Sequence, residues 1–434
     1  MLFKIHRGTQ EIGGSCVEVW TENTRILLDL GMPLVEKDGR EFDFGKYKSF
    51  STNELIQKGI LPDVEKLYSD AALLIDGFIL SHAHADHFGL MNFLNPEIPV
   101  YLGEATHEIL KLNNIFLGQK NQIIHPHYFE KGIPFKIGDF TITPYWADHS
   151  AFDAYSFLIE AGGKSIFYSG DFRGHGRKAG AFKWFTHNAP QNVDFLLLEG
   201  TTIGRSVKPF KTETELENEF SEVFKQPGKI NLIYTSGQNI DRLTSIYRAC
   251  KSTNKILVVD IYVATVLLKL SKFAGIPRPS ENFTDIKVIY PYYLTGKLFA
   301  NGEEAIVYQS QPYKITKQEI SSQPEKMVMI VRPSMQKELE LIPGIDGGNI
   351  IYSMWDGYLK KPNTIKFIEY LKNRNFTLFQ IHTSGHADIE TLKQMVNVIK
   401  PKYIVQIHTF NGSEYQNLFT QTVIEMKDRE TRQV

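Results

Sequence analysis

Short apolar runs, each closed by Gly, Asp or Ser, set the rhythm of the first half of the chain. Period-two alternation and β-branched or aromatic content predict strands over Ser15–Trp20 and Arg25–Leu30, a hairpin pair preceded by Gly13-Gly14. Leu73–Leu80, Phe140–Pro144, Ser156–Ile159, Ser165–Ser169 and Phe195–Glu199 continue the series, with a helical patch at Thr106–Asn113. After Gly200 the pattern changes. Thr212–Phe224 and Asn239–Cys250 read as helices, and Lys229–Tyr234, Lys255–Asp260 and Val328–Val331 as strands. Strand, Ser236-Gly237 turn, helix and strand make a βαβ unit of Rossmann-like type, so residues 204–346 are expected to form an inserted α/β domain. From residue 347 onward a third block is expected. It has strands at Asn349–Ser353, Thr377–Ile381 and Tyr403–Ile407, a helix Thr364–Lys372 capped by Asn363, and a helix capped by Asp388 with its stripe at Ile389, Leu392, Val396 and Ile399.

Composition changes this picture little. With 434 residues, 42% hydrophobic and 22% charged, the chain can bury several cores. Met1 opens a strand-like run and not a basic-then-apolar leader, and no apolar run reaches transmembrane length, so a cytoplasmic protein without a membrane contact is expected. Cys16 and Cys250, the only two cysteines, suggest buried small hydrophobes. A net charge of −1 argues against a broad nucleic-acid-coating surface. It leaves room for a local basic channel, and Phe172–Val193 has no acidic residue but carries Arg173, Arg177, Lys178 and Lys183, followed by Arg205, Lys208 and Lys211. A solvated basic loop is the plain alternative.

The chemistry concentrates in Ser81-His82-Ala83-His84-Ala85-Asp86-His87, an H-x-H-x-D-H run directly after an apolar segment. Imidazole nitrogen with carboxylate oxygen is the donor mix for zinc, iron or manganese. A turn at a strand end can aim His82 and His84 at one ion, and Asp86 and His87 at another. Three more donors follow apolar strands: His149, Asp171 after Tyr168-Ser169-Gly170, and His408. A paired-ion site needs a shared ligand, and the two-oxygen carboxylate of Asp171 suits it. His82, His84 and His149 would then hold one ion, with Asp86, His87 and His408 around the second. Asp29 reads as a hydrogen-bond acceptor that steadies these loops from behind.

The run His82–His87, then His149, then Asp171, resembles the metallo-β-lactamase superfamily, with Asp29 matching its first, structural motif. The long interval from Asp171 to His408, which holds the α/β block, is similar to the β-CASP branch. Leu198-Glu199-Gly200-Thr201-Thr202, His382-Thr383-Ser384-Gly385-His386-Ala387 and Ile407-His408 resemble that branch's three further motifs. Thr235–Arg242 looks like the start of its insertion helix. The likeness is strongest to ribonuclease J and polyadenylation-endonuclease types. It implies an α/β fold: an αββα sandwich over residues 1–203 and 347–434, interrupted by a β-CASP domain over 204–346.

The same resemblance implies hydrolysis of RNA phosphodiesters by a metal-bridged hydroxide at a dinuclear site between the two domains. Two divalent ions are expected; zinc suits the His-rich set, and manganese would also serve. Asp86, Glu199 and His386 are the implied catalytic residues, with His386 protonating the leaving 3′ oxygen and Glu199 orienting His386 or a metal ligand. His382, Ser384, Gly385, Ser236 and Arg173 are expected to bind RNA phosphates. A single-stranded RNA substrate follows, and a homodimer is compatible with the resemblance. His408 favours RNA over DNA, since the DNA-repair members carry valine there. The competing readings are a DNA nuclease, a thioester or lactone hydrolase, and a non-catalytic RNA-binding subunit.

Overall fold

The computed structural model describes residues 1–36, 39–68, 73–205, 209–226 and 229–434. Lys208 of the basic stretch lies outside them. By its internal contacts the chain divides into two compact units, residues 1–110, 120–209 and 385–434, and residues 111–119 with 210–384.

The first unit holds two seven-stranded mixed sheets. One runs, in spatial order, Thr431–Gln433, Leu2–Arg7, Cys16–Trp20, Arg25–Leu28, Gly77–Ile79, Val100–Leu102 and Pro126–Tyr128. The other runs Thr422–Val423, Tyr403–Ile407, Phe195–Glu199, Lys164–Tyr168, Ala154–Ala161, Phe140–Ala147 and Phe135–Ile137. Alternation decides which side chains turn inward. Phe3, Ile5, Val17, Val19, Ile26 and Leu28 of the first sheet meet Phe140, Ile142, Phe157, Ile159, Ile166, Leu197 and Val405 of the second in one apolar core. The second sheet's outer face is covered by helices Ala179–Asn188 and Ile389–Ile399, through Phe182, Phe185, Leu392, Met395, Val396 and Ile399. This is the sandwich expected from the motifs. Asp388 caps its helix as the sequence suggests, accepting from Thr391 N.

The second unit is built on six parallel strands in the order Ile286–Ile289, Ile256–Asp260, Met327–Val331, Asn231–Tyr234, Asn349–Tyr352 and Thr377–Gln380. Such a sheet is consistent with an inserted β-CASP domain. Asn349–Tyr352 and Thr377–Gln380 pair here, whereas the pattern of apolar runs had put them in the segment returning to the sandwich from residue 347. A buried strand reads as an apolar run whichever sheet receives it. Two other local expectations shift. The strand foreseen at Leu73–Leu80 is only Gly77–Ile79, with Leu73 and Leu74 exposed. Helix Pro362–Asn373 starts before Asn363, with Pro362 in its first turn, so Asn363 is not its cap.

The inter-sheet core makes a direct prediction. Phe157 is fully buried and meets Phe129 edge-on, with ring centroids 5.4 Å apart. Phe157→Ala should cost about 3–5 kcal/mol in denaturant unfolding; a loss below about 1 kcal/mol would mean that the sheets are not packed through this residue.

Candidate metal centre

The strand directions bring the ligand-type residues together. Lys164–Tyr168, Phe195–Glu199 and Tyr403–Ile407 are parallel neighbours, so their carboxyl ends deliver Asp171, Glu199 and His408 to one sheet edge. Arg25–Leu28 and Gly77–Ile79 are likewise parallel, delivering Asp29 and the His82–His87 loop. Backbone bonds then fasten that loop: Leu30 N donates to His87 O at 2.8 Å, Met32 N to Ala85 O at 2.9 Å and Ser15 N to Asp86 O at 3.2 Å. The approach is so close that a Cβ on Gly31 would lie 1.7 Å from Asp86 O. Gly170, at φ +53°, makes the turn into Asp171; a Cβ there would lie 2.8 Å from Tyr155 O.

Hydrogen bonds on one side of each ring fix which nitrogen is free on the other. Ser81 Oγ donates to Asp29 Oδ2 at 2.8 Å, so His82 Nδ1–H donates to Ser81 Oγ at 3.0 Å and His82 Nε2 keeps its lone pair. His87 Nδ1–H donates to Asp29 Oδ2 at 2.8 Å. His149 Nδ1–H donates to Gly385 O at 2.6 Å. Thr201 Oγ1 donates to His408 O at 3.3 Å and accepts from His408 Nδ1–H at 2.8 Å. In all four rings Nε2 is the nitrogen left to face the cluster. Asp29, fully buried, also accepts from Ser81 N and from Tyr168 OH, as the reading of it as a supporting acceptor anticipates.

The free atoms converge on Asp171. Its Oδ2 is 3.1 Å from His87 Nε2, 3.8 Å from His82 Nε2 and 3.9 Å from His149 Nε2. His149 Nε2 stands 3.0 Å from His84 Nδ1, and His408 Nε2 stands 3.3 Å from Asp86 Oδ2. Donors held about 2.0–2.2 Å from a tetrahedral ion stand roughly 3.3–3.6 Å apart, so these spacings suit cations. His82 Nε2 and Asp171 Oδ1 are buried without a hydrogen-bond partner, which a cation would supply. Two groups of donors each lie within 4.8 Å: His82, His84 and His149, and Asp86, His87, Asp171 and His408.

The electrostatics agree. Burial pushes His82 and His149 well below the ordinary histidine range, and His84 down to about 4, leaving neutral imidazoles. Burial opposes the charge on Asp171, but His408, His87 and His386 around it hold it far below the usual carboxylate range. Burial likewise opposes charge on His87, yet Asp171 and Asp29 outweigh it and raise His87 well above the ordinary histidine range, favouring a proton in the His87–Asp171 contact.

His386 lies beside this cluster, its Nδ1 3.4 Å from Glu199 Oε1 and 3.7 Å from Asp171 Oδ2. Glu199 is itself held by Thr201 N, which donates to its Oε2 at 3.0 Å. Among the expected phosphate contacts, Gly385 lies against His149, while Ser236, His382 and Ser384 belong to the second unit. Arg173 corrects its expectation. It is wholly buried, its Nε 3.2 Å from Asp148 Oδ1, and it has no surface to offer a phosphate. The acid-free stretch concealed an acidic partner outside it. Sequence reading also missed Ser81, Tyr168 and Thr201, whose hydroxyls set the donors behind the histidines; only their positions beside the motifs hinted at this.

Two family models match, one described as a beta-lactamase superfamily domain over residues 63–212 and one as a Zn-dependent metallo-hydrolase RNA specificity domain over residues 372–411. Residues 63–212 thus carry a metallo-β-lactamase superfamily domain. It is 24% identical to a ribonuclease J of Helicobacter pylori (strain B128), covering 92% of this chain and 55% of that protein. It therefore spans about half the length of that relative. It is 26% identical to an RNase J-like protein of Methanocaldococcus jannaschii, covering 98% of this chain and 95% of the relative. A solved structure of a protein of unknown function from Enterococcus faecalis V583 shares the fold, with a TM-score of 0.79, 21% identity and 99% coverage of both chains. No helix among the described residues is long and apolar enough to cross a membrane.

Asp29→Asn removes the charge that anchors His87 while keeping the side chain's shape. Metal affinity should fall roughly 10–100-fold in chelator competition, with the circular dichroism spectrum unchanged. Unaltered affinity would separate Asp29 from the metal centre.

Proposed function

We propose that the chain is a metal-dependent ribonuclease. In this reading His82, His84 and His149 hold one divalent ion, Asp86, His87 and His408 a second, and Asp171 is shared. Zinc suits the nitrogen-rich set, and manganese would also serve. Bound cations at this place supply Lewis-acid neutralisation of phosphate charge and activation of a water nucleophile. The observation that carries the reading is the convergence of the Nε2 atoms of His82, His87 and His149 on the buried carboxylate of Asp171, with His408 Nε2 against Asp86 and His386 alongside, in a chain whose residues 372–411 match an RNA-specificity model.

His386 is the proton donor. Burial disfavours its cation, but Glu199 and Asp171 outweigh that and raise it to about 9. It is therefore charged at neutral pH and able to give a proton to the leaving 3′ oxygen. Its Nδ1 faces Glu199, which leaves Nε2 as the nitrogen to reach substrate. A cation held by Asp171 would offset part of that carboxylate's influence on His386. Glu199 keeps the ring oriented and its charged form favoured. Gly385, His382, Ser384 and Ser236 remain the proposed phosphate contacts, through backbone N–H groups and hydroxyls.

Single-stranded RNA labelled at the 5′ or the 3′ end, beside matching DNA, tests the activity and its direction. RNA cleavage should drop about 100- to 10,000-fold in His386→Ala with metal content retained. Cleavage of DNA alone, or of neither polymer by metal-loaded protein, would refute the ribonuclease reading. The pH profile carries a second prediction. An acid must be protonated to act, so the rate should fall as pH rises through the pKa of His386, with an inflection between its ordinary value of about 6.5 and about 9. His386→Gln should lack that alkaline limb; its persistence would assign the limb to another group.

A further inference from the structure

We infer that the centre has an additional, inhibitory cation seat, formed by Glu199 and His386 against Asp171. This rests on the dinuclear reading above and concerns residues that reading leaves as proton machinery. Asp171, Glu199, His386 and His408 form a third group whose donor atoms all lie within 4.8 Å of one another. Asp171 and His408 are common to it and to the Asp86–His87 group, so Glu199 and His386 are what the third group adds.

The spacing fits an ion. His386 Nδ1 is 3.4 Å from Glu199 Oε1 and 3.7 Å from Asp171 Oδ2, close to the roughly 3.3–3.6 Å edge of a tetrahedral zinc shell. The donors are preset. Glu199 is fully buried and pinned through Oε2 by Thr201 N, while Oε1 takes a long bond from Ala387 N at 3.4 Å and faces His386. Asp171 Oδ1, also buried, has no hydrogen-bond partner and lies 3.7 Å from His408 Nδ1, within the same group. Two carboxylates and an imidazole are a sufficient donor set for a weakly held zinc ion, with water completing the shell.

Occupation of this seat blocks the acid. The incoming cation takes the Nδ1 lone pair of His386, and the proton that Nδ1 carried leaves to solvent. The remaining Nε2–H can then depart only by making an imidazolate, so the ring no longer serves as a proton donor near neutral pH. Excess zinc should therefore inhibit while leaving the two tighter ions in place.

Zinc titration of metal-stripped protein, read by elemental analysis after gel filtration at rising free zinc and by RNA cleavage in parallel, tests this. The wild type should bind two ions with gain of activity, then a third at higher zinc with at least a tenfold loss. Glu199→Gln should stop at two ions over the same range, its first two equivalents also reporting an intact fold. Saturation of the wild type at two ions without inhibition would overturn the additional seat alone, as would a third ion bound equally by Glu199→Gln. A wild type that binds fewer than two tight ions would contradict the dinuclear reading and this inference with it.

Discussion

Everything at this centre depends on a proton placed on the far side of each ring. His82, His87, His149 and His408 each give Nδ1–H to a protein acceptor, namely Ser81 Oγ, Asp29 Oδ2, Gly385 O and Thr201 Oγ1. Their Nε2 atoms thereby face inward, those of His82, His87 and His149 toward Asp171 and that of His408 toward Asp86. Burial keeps His82 and His149 neutral, and crowding by histidines keeps Asp171 charged. Such a cluster is costly without a cation, since buried donors and acceptors lose water and gain little in return. The cation that would relieve it is the one the cluster is shaped to hold.

The sandwich supplies the precision. Ligand-type residues sit at the carboxyl ends of strands whose own side chains are locked in the inter-sheet core, and the turns beyond them are set by backbone bonds. Two of these turns use non-glycine residues in the left-handed region, Asp29 at φ +58° and His408 at φ +52°. Such conformations cost of order 1 kcal/mol or more, and they persist where surrounding bonds over-determine them. Asp29 is held by His87, Ser81 and Tyr168, and His408 by Gly8 O and Thr201.

What the sequence revealed follows from distance along the chain. The His82–His87 run is local, so its chemistry is visible without a fold. His149, Asp171 and His408 were legible because each follows an apolar strand, and strand ends are where such folds gather function. The inserted α/β unit was readable from its strand, turn, helix and strand pattern, and the sandwich only through the resemblance that the motifs carry. Strand membership was not: nothing in the residues of Asn349–Tyr352 says which sheet will pair with them, and they joined the parallel one. Arg173 misled because a cation's role depends on its partner, and Asp148 lies on another loop. The carbonyl of Gly385 behind His149 was invisible for a deeper reason. A backbone acceptor carries no residue signature, and this one comes from far along the chain.

The proposed centre has Asp171 shared by two cations, one held by each histidine group. Anomalous diffraction at the zinc edge, on crystals of zinc-loaded protein, tests it most directly. Two peaks are expected about 3.5–4 Å apart, one bounded by His82, His84 and His149, the other by Asp86, His87 and His408, with Asp171 between them. A single peak, or peaks that leave Asp171 outside both coordination shells, would contradict it.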